Sequence, residues 1–295
     1  MTLLKKAIKS LYAALPFKRP VFEVVKKIYK PTPRIYQHLH FNDSFRVRVT
    51  DKETFKIRHY GFEIENELFW AGIKDGWEKV STALWIKLCR ESEVIIDIGA
   101  NTGVYSLIAK TVNPGAKVFA FEPVERVFEK LERNCRLNNY DIGCFKKAVS
   151  NYSGKAKIYD TAGEHIYSVT VNKNLNSSTT LVKEFEIDTI TLKDFIEKQG
   201  LTKIDLIKID VETHEPEVLE GMHEYLAKFN PVMLIEILND EVAAKLNKLL
   251  AGLGYLYFNI DENNGVRQVK EVIKSDYYNF LFCKKETALK LGLNK

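Results

Sequence analysis

Three carboxylates and one imidazole lie in two short segments of the C-terminal half of the chain, and these residue types transfer protons. They are Asp210, Glu212 and His214 in LIKIDVETHE, and Glu236 in LIEI. A carboxylate or an imidazole takes a proton from a hydroxyl group, and crowded carboxylates raise one another's pKa. We expect Asp210 or His214 to be the base, with Glu212 and Glu236 orienting substrate or backbone. The three carboxylates also suit a divalent metal such as Mg²⁺, and that alternative stays open.

Neighbouring polar residues carry weaker signals. Glu215 opens a predicted helix, where the helix dipole stabilises an acid, and we expect no chemical role for it. For His214 an exposed turn is the alternative. The other five histidines show no informative spacing and the four cysteines lack C-x-x-C spacing, so the sequence predicts no zinc site.

A buried strand, a glycine turn and a helix follow one another in VIIDIGANTGVYSL at residues 94–107. The β-branched run is typical of a parallel strand covered on both faces. Gly99 and Gly103 let the backbone turn sharply and approach a ligand, and the first N–H groups of the helix point there. The next strand, KVFAF, ends in Glu122, where an α/β nucleotide site has the carboxylate that binds ribose. The segment therefore predicts a cofactor site.

Asp97, two residues before Gly99, indicates the class of cofactor. The dinucleotide fingerprint G-x-G-x-x-G is absent, and an acid here would repel a pyrophosphate but favour the cationic methionine end of S-adenosylmethionine. A turn that served only helix packing would leave Glu122 unexplained. We therefore predict an S-adenosylmethionine site.

Alternating helices and strands must position these groups. The predicted helices are 78–90, 103–112, 124–138, 191–199, 215–228 and 240–252, and the predicted strands are 94–98, 117–121, 145–149, 204–209 and 232–237. This order predicts a parallel sheet with the ligand crevice at the carboxyl ends of the strands. Strands 255–260 and 278–284 close it as an antiparallel pair. Strands 155–159 and 182–187 flank an Asn/Ser-rich loop, Asn172 to Thr180, which is either solvated or a lid over substrate.

The net charge of +5 is unevenly distributed: residues 1–30 carry +7 and the other 265 residues sum to −2. This argues against a broad nucleic-acid surface. Residues 1–15 predict a basic amphipathic helix that packs on protein or, alternatively, makes peripheral membrane contact through residues 1–30. Scattered cysteines and the absence of a cleavable signal predict a cytoplasmic protein, with the inner face of the membrane as an alternative. No apolar run is long enough to span a membrane.

The N-terminal quarter predicts an extension rather than part of the main sheet. Four prolines between residues 16 and 33 indicate a linker, and alternation over 45–70 indicates one or two β-hairpins. We place the boundary after Trp77, which divides the chain into an extension, 1–77, and a cofactor-binding domain, 78–295. Trp70, Trp77 and Trp85 suit either a buried core or stacking on a sugar ring.

Taken together, five segments of residues 93–240 resemble the FkbM family of S-adenosylmethionine-dependent methyltransferases. They are VIIDIGANTGVYSL, FAFEPV, the interval from NCRLNN to KKAVS, LIKIDVETHEPEVLEGM and PVMLIEI. The resemblance implies a class I methyltransferase α/β fold, with a seven-stranded, mostly parallel sheet and helices on both faces. It also implies O-methylation of a sugar, a glycan or a secondary metabolite.

The resemblance also assigns cofactor contacts by position. It implies that the methionine moiety is surrounded by Asp97, Gly99, Asn101, Gly103 and Ser106, the ribose by Glu122, and the adenine by Ala148 and Val149. One position departs from the family pattern, because Thr213 stands where a glycine usually follows Asp-Val-Glu. Either this turn is unstrained, or the pocket is narrower and the acceptor differs.

Two other functions remain as alternatives. A non-enzymatic, cofactor-binding scaffold could dock to a membrane or a glycan-assembly complex through the N-terminal helix. A nucleic-acid methyltransferase would share the cofactor half, but the Asn/Asp-Pro-Pro-aromatic motif is missing and the sheet domain is acidic. The expected partners are therefore a small molecule or glycan and no nucleic acid, and a homo-oligomer stays open.

Overall fold

An eight-stranded sheet runs through the protein, with helices on both faces. The computed structural model describes residues 17–161, 169–170 and 182–293. The strands are β1 Ser44–Arg48, β2 Thr54–Arg58, β3 Val94–Ile98, β4 Lys117–Phe121, β5 Ile142–Phe145, β6 Ala148–Val149, β7 Gly154–Thr161, β8 Val169–Thr170, β9 Val182–Ile190, β10 Leu206–Ile209, β11 Val232–Glu236, β12 Leu256–Asp261, β13 Gly265–Val269 and β14 Asn279–Cys283. The helices are α1 Lys18–Ile28, α2 Pro33–Tyr36, α3 Glu63–Trp70, α4 Gly72–Asp75, α5 Lys79–Arg90, α6 Val104–Val112, α7 Glu125–Asn138, α8 Leu192–Gln199, α9 Glu215–Glu220, α10 Glu224–Phe229, α11 Asp240–Leu250 and α12 Lys285–Leu291.

The sheet is parallel at one end and antiparallel at the other. Its order is β5-β4-β3-β10-β11-β14-β12-β13, and the first five strands are parallel. Strand β14 is antiparallel to both β11 and β12, which confirms the predicted closing pair. The seven predicted strands are joined by an eighth, because β13 forms a hairpin with β12. The side chain of Asp261 caps that hairpin by accepting N–H bonds from Asn263 and Asn264.

Strand β3 shows why this sheet needs helices on both faces. All five of its residues are buried. Ile95 joins a hydrophobic cluster with α5 and α6, while Ile96 and Ile98 join a second cluster with α8, α9 and α11. Successive side chains of a strand point to opposite faces, and each fully buried Ile contributes about 1.5–3 kcal/mol to folding.

The insertion after β5 forms a second sheet beside the first, with the order β6-β9-β7-β8. The predicted strand 145–149 is in fact two strands: β5 ends at Phe145, and Ala148–Val149 pairs with β9. The chain changes sheet at this point through a tight turn, in which Lys147 N–H donates to Phe145 C=O. The predicted loop Asn172 to Thr180 lies outside the described residues.

The N-terminal extension packs against the main core. The predicted hairpin is present as β1 and β2, and Phe45 and Ile57 belong to the hydrophobic cluster on the α6 face. Residues 63–70 form α3 rather than a strand. Asn134 of α7 accepts an N–H bond from Arg58 at the end of β2 and donates to Thr102 C=O in the glycine turn. The helix predicted over 1–15 lies outside the described residues, and the boundary after residue 77 stays a prediction.

The helix predicted over 215–228 is interrupted between α9 and α10. At Gly221 a Cβ would lie 2.1 Å from the carbonyl oxygen of Ser150, and His223 has a φ of 50°. Within the part of the chain that the structure describes, no helix combines the length and the apolar character that a membrane crossing needs.

Candidate active site

A cleft of about 410 Å³ opens at the carboxyl ends of β3, β4, β10 and β11, and it brings together ten of the twelve predicted site residues. They are Asp97, Gly99, Asn101, Glu122, Ala148, Val149, Asp210, Glu212, His214 and Glu236. Gly103 and Ser106 are outside the lining. The cleft has the size of a small-molecule site.

Asp97, the penultimate residue of β3, lines the cleft and accepts two hydrogen bonds from Ser106. Its Oδ2 accepts the backbone N–H of Ser106 at 3.0 Å and the hydroxyl of Ser106 at 2.6 Å. Burial raises the pKa of Asp97 to about 6, although both bonds from Ser106 oppose the shift. The carboxylate is therefore fixed in orientation and is stabilised further by any cation placed before it.

The two glycines make room for protein rather than for a ligand. At Gly99, with a φ of 77°, a Cβ would lie 1.8 Å from the carbonyl oxygen of Asp210. At Gly103, with a φ of 93°, it would lie 2.6 Å from Cδ1 of Leu131. Gly99 thus lets β3 and the end of β10 approach closely, which brings Asp97 and Asp210 to the same cleft.

Glu122 follows β4 and is anchored by the backbone. Its Oε1 accepts the N–H of Val124 at 2.9 Å and its Oε2 accepts the N–H of Asn101 at 3.1 Å. Burial raises its pKa to about 7. Each carboxylate oxygen keeps a second lone pair, so the group can still accept bonds from hydroxyls. The side-chain oxygen of Asn101 is buried and has no hydrogen-bond partner among the described residues.

The cleft is apolar beyond Glu122. Its lining there includes Phe121 of β4, Val149 of β6, Ile158 of β7 and Ile187 of β9. The sequence predicted both insertion strands, but no local signal showed that their side chains would reach the cleft. This end suits a flat, largely apolar group.

A buried lysine lies at the opposite end, and the sequence analysis missed its role. Lys208 of β10 is 1% exposed, and its Nζ lies 3.3 Å from Oδ2 of Asp210 and 5.2 Å from the ring centroid of Tyr105. Burial disfavours the ammonium, but Asp210, Glu78 and other carboxylates outweigh it and raise the pKa of Lys208. Lys208 therefore stays charged beside Asp210.

Glu236 and Glu78 hold protons more tightly than ordinary carboxyls. Burial and the charge of Asp210 raise the pKa of Glu236 to about 10, and Glu236 and Asp210 share a hydrogen bond. Burial raises the pKa of Glu78 to about 7; its carboxylate accepts bonds from the hydroxyl of Tyr105 and, at 2.8 Å, from the amide of Asn279. At neutral pH Glu236 is thus neutral and donates to Asp210.

This arrangement gives no support to the metal alternative. Among the residues that the structure describes, no group of three or more His, Cys, Asp or Glu side chains is placed to hold a metal ion. The ammonium of Lys208 is instead the cation beside Asp210. Asp210, Glu212 and Glu236 line one cleft without forming a ligand set.

The turn after β10 is strained. Glu212 has a φ of 53° and Thr213 a φ of 80°. A β-branched residue rarely adopts positive φ, so the unstrained turn considered above is not what the chain forms. Glu215 holds the turn: its Oε1 accepts the N–H groups of Val211 at 3.3 Å and Thr213 at 3.2 Å. Glu215 is fully buried and outside the cleft lining, so it is a positioning residue.

His214 lines the cleft with both ring nitrogens facing protein groups. Nε2 lies 3.0 Å from the hydroxyl of Ser150, and Nδ1 lies 3.6 Å from Glu217. Burial lowers the pKa of His214. It is half-buried rather than an exposed turn residue, and the hydrogen bond of its Nε2 with Ser150 favours Asp210 over His214 as the base.

The N-terminal extension and the first residue of the following domain supply cleft residues; the sequence indicated Trp77 as a stacking candidate but not Glu63 or Glu78. Glu63, Trp77 and Glu78 all line the cleft, whereas Trp70 and Trp85 are buried in the core. A lysine inside the apolar run of β10 was a visible anomaly. Nothing in the sequence around Glu63 or Glu78 indicated their position.

One family model and several curated methyltransferases match the chain. The model described as "Methyltransferase FkbM domain" matches residues 97–257. Methyltransferase sdnD from Sordaria araneosa is 30% identical over an alignment of 156 residues, with 44% of this chain and 60% of that protein covered. Hexuronic acid methyltransferase AglP from Haloferax volcanii is 29% identical over 170 residues, 57% of this chain and 65% of that protein.

Another curated relative and one solved structure are also similar to this chain. The 2-O-methyltransferase NoeI from Sinorhizobium fredii is 30% identical over 163 residues, 51% of this chain and 65% of that protein. The chain spans about 60% of the length of the first curated relatives it matches. Methyltransferase FkbM from Methylobacillus flagellatus superposes with a TM-score of 0.41 at 16% identity, covering 65% of this chain and 43% of that one.

Proposed function

Because the chain belongs to the FkbM methyltransferase family, we propose that it transfers the methyl group of S-adenosylmethionine to a hydroxyl of a sugar, a glycan or a secondary metabolite. The names of three relatives support this class: a hexuronic acid methyltransferase, a 2-O-methyltransferase and a 31-O-demethyl-FK506 methyltransferase. The observation that carries the proposal is the order Glu122, Asp97, Asp210, Glu236 along one cleft.

The residues at one end of the cleft fit S-adenosylmethionine. Glu122 would accept bonds from the ribose hydroxyls, and Asp97 would face the ammonium of the methionine moiety. The apolar residues around Val149 and Ile158 would enclose the adenine. The unpartnered side-chain oxygen of Asn101 offers a further acceptor. When bound, the cofactor supplies an electrophilic methyl group on a sulfonium.

The residues at the other end are arranged to remove a proton from an acceptor hydroxyl. Asp210 is held in place by Lys208 and by the neutral carboxyl of Glu236, and it would accept the hydroxyl proton. The ammonium of Lys208 lies 3.3 Å from Oδ2 of Asp210 and fixes its orientation, and Glu212 in the strained turn would orient the acceptor. Alignment of the hydroxyl with the methyl group supplies much of the rate.

Titration with S-adenosylhomocysteine tests the cofactor half. Micromolar binding by the wild type should weaken at least tenfold, about 1.4 kcal/mol, in Glu122→Ala. Glu129→Ala is the matched control, because Glu129 is an exposed residue of α7. If the folded wild type does not bind, or if both variants bind alike, the proposed cofactor site is wrong.

Substitution of Asp210 tests the transfer half. Asp210→Asn should retain S-adenosylhomocysteine affinity and lose transfer of labelled methyl groups to an acceptor pool. Unchanged transfer would remove Asp210 from the mechanism. Tight cofactor binding without transfer by the wild type to any pool would favour the scaffold alternative.

A further inference from the structure

Helix α1 contacts the rest of the protein through both apolar and charged side chains. Phe22 is buried, and its ring lies 5.3 Å from that of Trp70. The Nζ of Lys26 donates to the C=O of Phe69 and lies 5.2 Å from the centroid of the Phe69 ring. Arg19 forms a 3.2 Å ion pair with the carboxylate just before β1. Two of the cations of α1 are therefore directed at the protein.

The outer face of α1 is apolar. Four large hydrophobic side chains recur along it at spacings of four, three and four residues, which places them on one side of a helix. They are Phe17, Val21, Val24 and Ile28, which are 78%, 55%, 59% and 82% exposed. We call these four residues the α1 stripe. A surface helix of a globular protein turns its apolar side to the core and its charges to the solvent, and α1 instead turns this stripe outward.

Exposed hydrophobic side chains are concentrated around this helix. Eleven large ones are exposed among the residues that the structure describes, and six of these lie within residues 17–35. The two outside the α1 stripe are Tyr29, after α1, and Ile35 of α2. Single exposed apolar residues are ordinary, but a group of them marks an interaction surface.

The same segment is strongly basic. Residues 17–37 contain six basic residues and one acid, Glu23, which is paired with an arginine of the same helix. Lys27 and Lys30 are exposed. Residues 1–16 add three lysines and no acid. A partner for this surface must therefore offer both an apolar layer and negative charge.

An anionic lipid bilayer offers both. Amphipathic helices with an apolar side and flanking lysines lie in the membrane interface, and each lysine near an anionic leaflet strengthens the binding. A second copy of the chain fits less well, because a two-fold contact through the α1 stripe would bring the basic segments of both copies together. Residues 1–16 are themselves basic, so they do not complement the charge of the segment either.

We propose that α1 docks the protein on an anionic membrane surface. The α1 stripe enters the boundary between headgroups and acyl chains, and Lys27 and Lys30 contact the lipid phosphates. The helix lies in the plane of the membrane, because its 11 residues span only about 16 Å and a crossing needs about 30 Å. This inference does not rest on the proposed methyl transfer.

Flotation with vesicles tests the docking. The purified full-length protein is mixed with vesicles of phosphatidylcholine alone or of equal parts phosphatidylcholine and phosphatidylglycerol, without added cofactor. We expect at least about tenfold tighter binding to the anionic vesicles, and we expect high salt to remove most of this difference. If the wild type does not float with anionic vesicles, the inference is wrong.

A matched pair of double variants tests the α1 stripe. Val24→Glu with Ile28→Glu should weaken binding to anionic vesicles at least about tenfold, because two charges would enter the acyl boundary. Ile273→Glu with Leu289→Glu places the same charges at exposed apolar residues elsewhere and should bind like the wild type. All four residues are exposed, so both variants should keep the wild-type midpoint of thermal unfolding. Equal binding by the two variants would overturn the assignment of the surface to α1.

A charge variant and the oligomeric state separate lipid from a second copy. Lys27→Gln should weaken binding to the anionic vesicles about fivefold and leave binding to phosphatidylcholine unchanged. Unchanged binding to both would contradict the contact with anionic lipid. Analytical ultracentrifugation should show the same oligomeric state for the wild type and for Val24→Glu with Ile28→Glu. A dimer that this variant loses, in a protein that does not float, would make a second copy the occupant and overturn the lipid assignment.

Discussion

Replacing Glu215 by glutamine should change how the stability of the protein depends on pH. The carboxylate is buried, its Oε1 accepts two backbone N–H bonds, and its Oε2 has no hydrogen-bond partner among the described residues. Burial raises its pKa to about 8 from an ordinary value of 4.5. Glutamine keeps an oxygen for the two N–H groups and removes the charge.

The sign follows from proton binding. Between pH 4.5 and pH 8 the folded protein holds the Glu215 proton and the unfolded chain has lost it, so stability falls as pH rises through this window. The full difference of 3.5 pKa units corresponds to about 5 kcal/mol as an upper value. Glu215→Gln should therefore gain stability relative to the wild type as the pH increases.

Urea denaturation at intervals from pH 5 to pH 9 measures this difference. The unfolding free energy of Glu215→Gln minus that of the wild type should rise by several kcal/mol and level off above about pH 8. Glu241→Gln, at an exposed position of α11, is the control and should not show this rise. Parallel curves for Glu215→Gln and the wild type would refute the account of a buried, proton-holding carboxyl.

Two further substitutions give tests, one in the turn after β10 and one in the cleft. Thr213→Gly should raise the unfolding free energy by about 1 kcal/mol, because it removes a β-branched side chain from a backbone with a φ of 80°. This gain exceeds the entropy cost of glycine. A lower unfolding free energy in urea denaturation would contradict the strain at Thr213. Trp77→Ala should raise the KM for the acceptor that receives the labelled methyl group about tenfold. Its S-adenosylhomocysteine affinity should stay within about twofold of the wild-type value, and Trp77→Phe should recover part of the lost acceptor affinity. An unchanged KM would place Trp77 outside acceptor binding.

Local sequence signals predicted the sheet and much of the candidate site. Asp97, Glu122, Asp210 and Glu236 each lie at or next to the carboxyl end of a recognisable apolar strand, and parallel strands bring these ends to one edge. That rule alone places four distant residues in one cleft. The closing antiparallel pair was predictable because the segment between its strands lacks a helical period.

The missed features depend on contacts between distant segments. Lys208 is charged because Glu78, 130 positions earlier, and Asp210 surround it, and no window of sequence contains all three. Glu215 has the sequence position of a helix-dipole acid, but its side chain turns back to bind the preceding loop. The hairpin of the extension was predicted but its packing was not, because that packing is decided by the core of the following domain.

The amide of Asn134 joins two parts of the protein that the sequence separates widely. One side chain binds the backbone of the N-terminal hairpin at Arg58 and the backbone of the cleft at Thr102, and it is fully buried. A ligand that stabilises the Thr102 turn through this amide also protects the hairpin from local opening. By reciprocity, opening of the hairpin weakens the binding of that ligand by the same coupling free energy. Removing the extension would therefore leave a different cofactor site, and not merely a shorter protein.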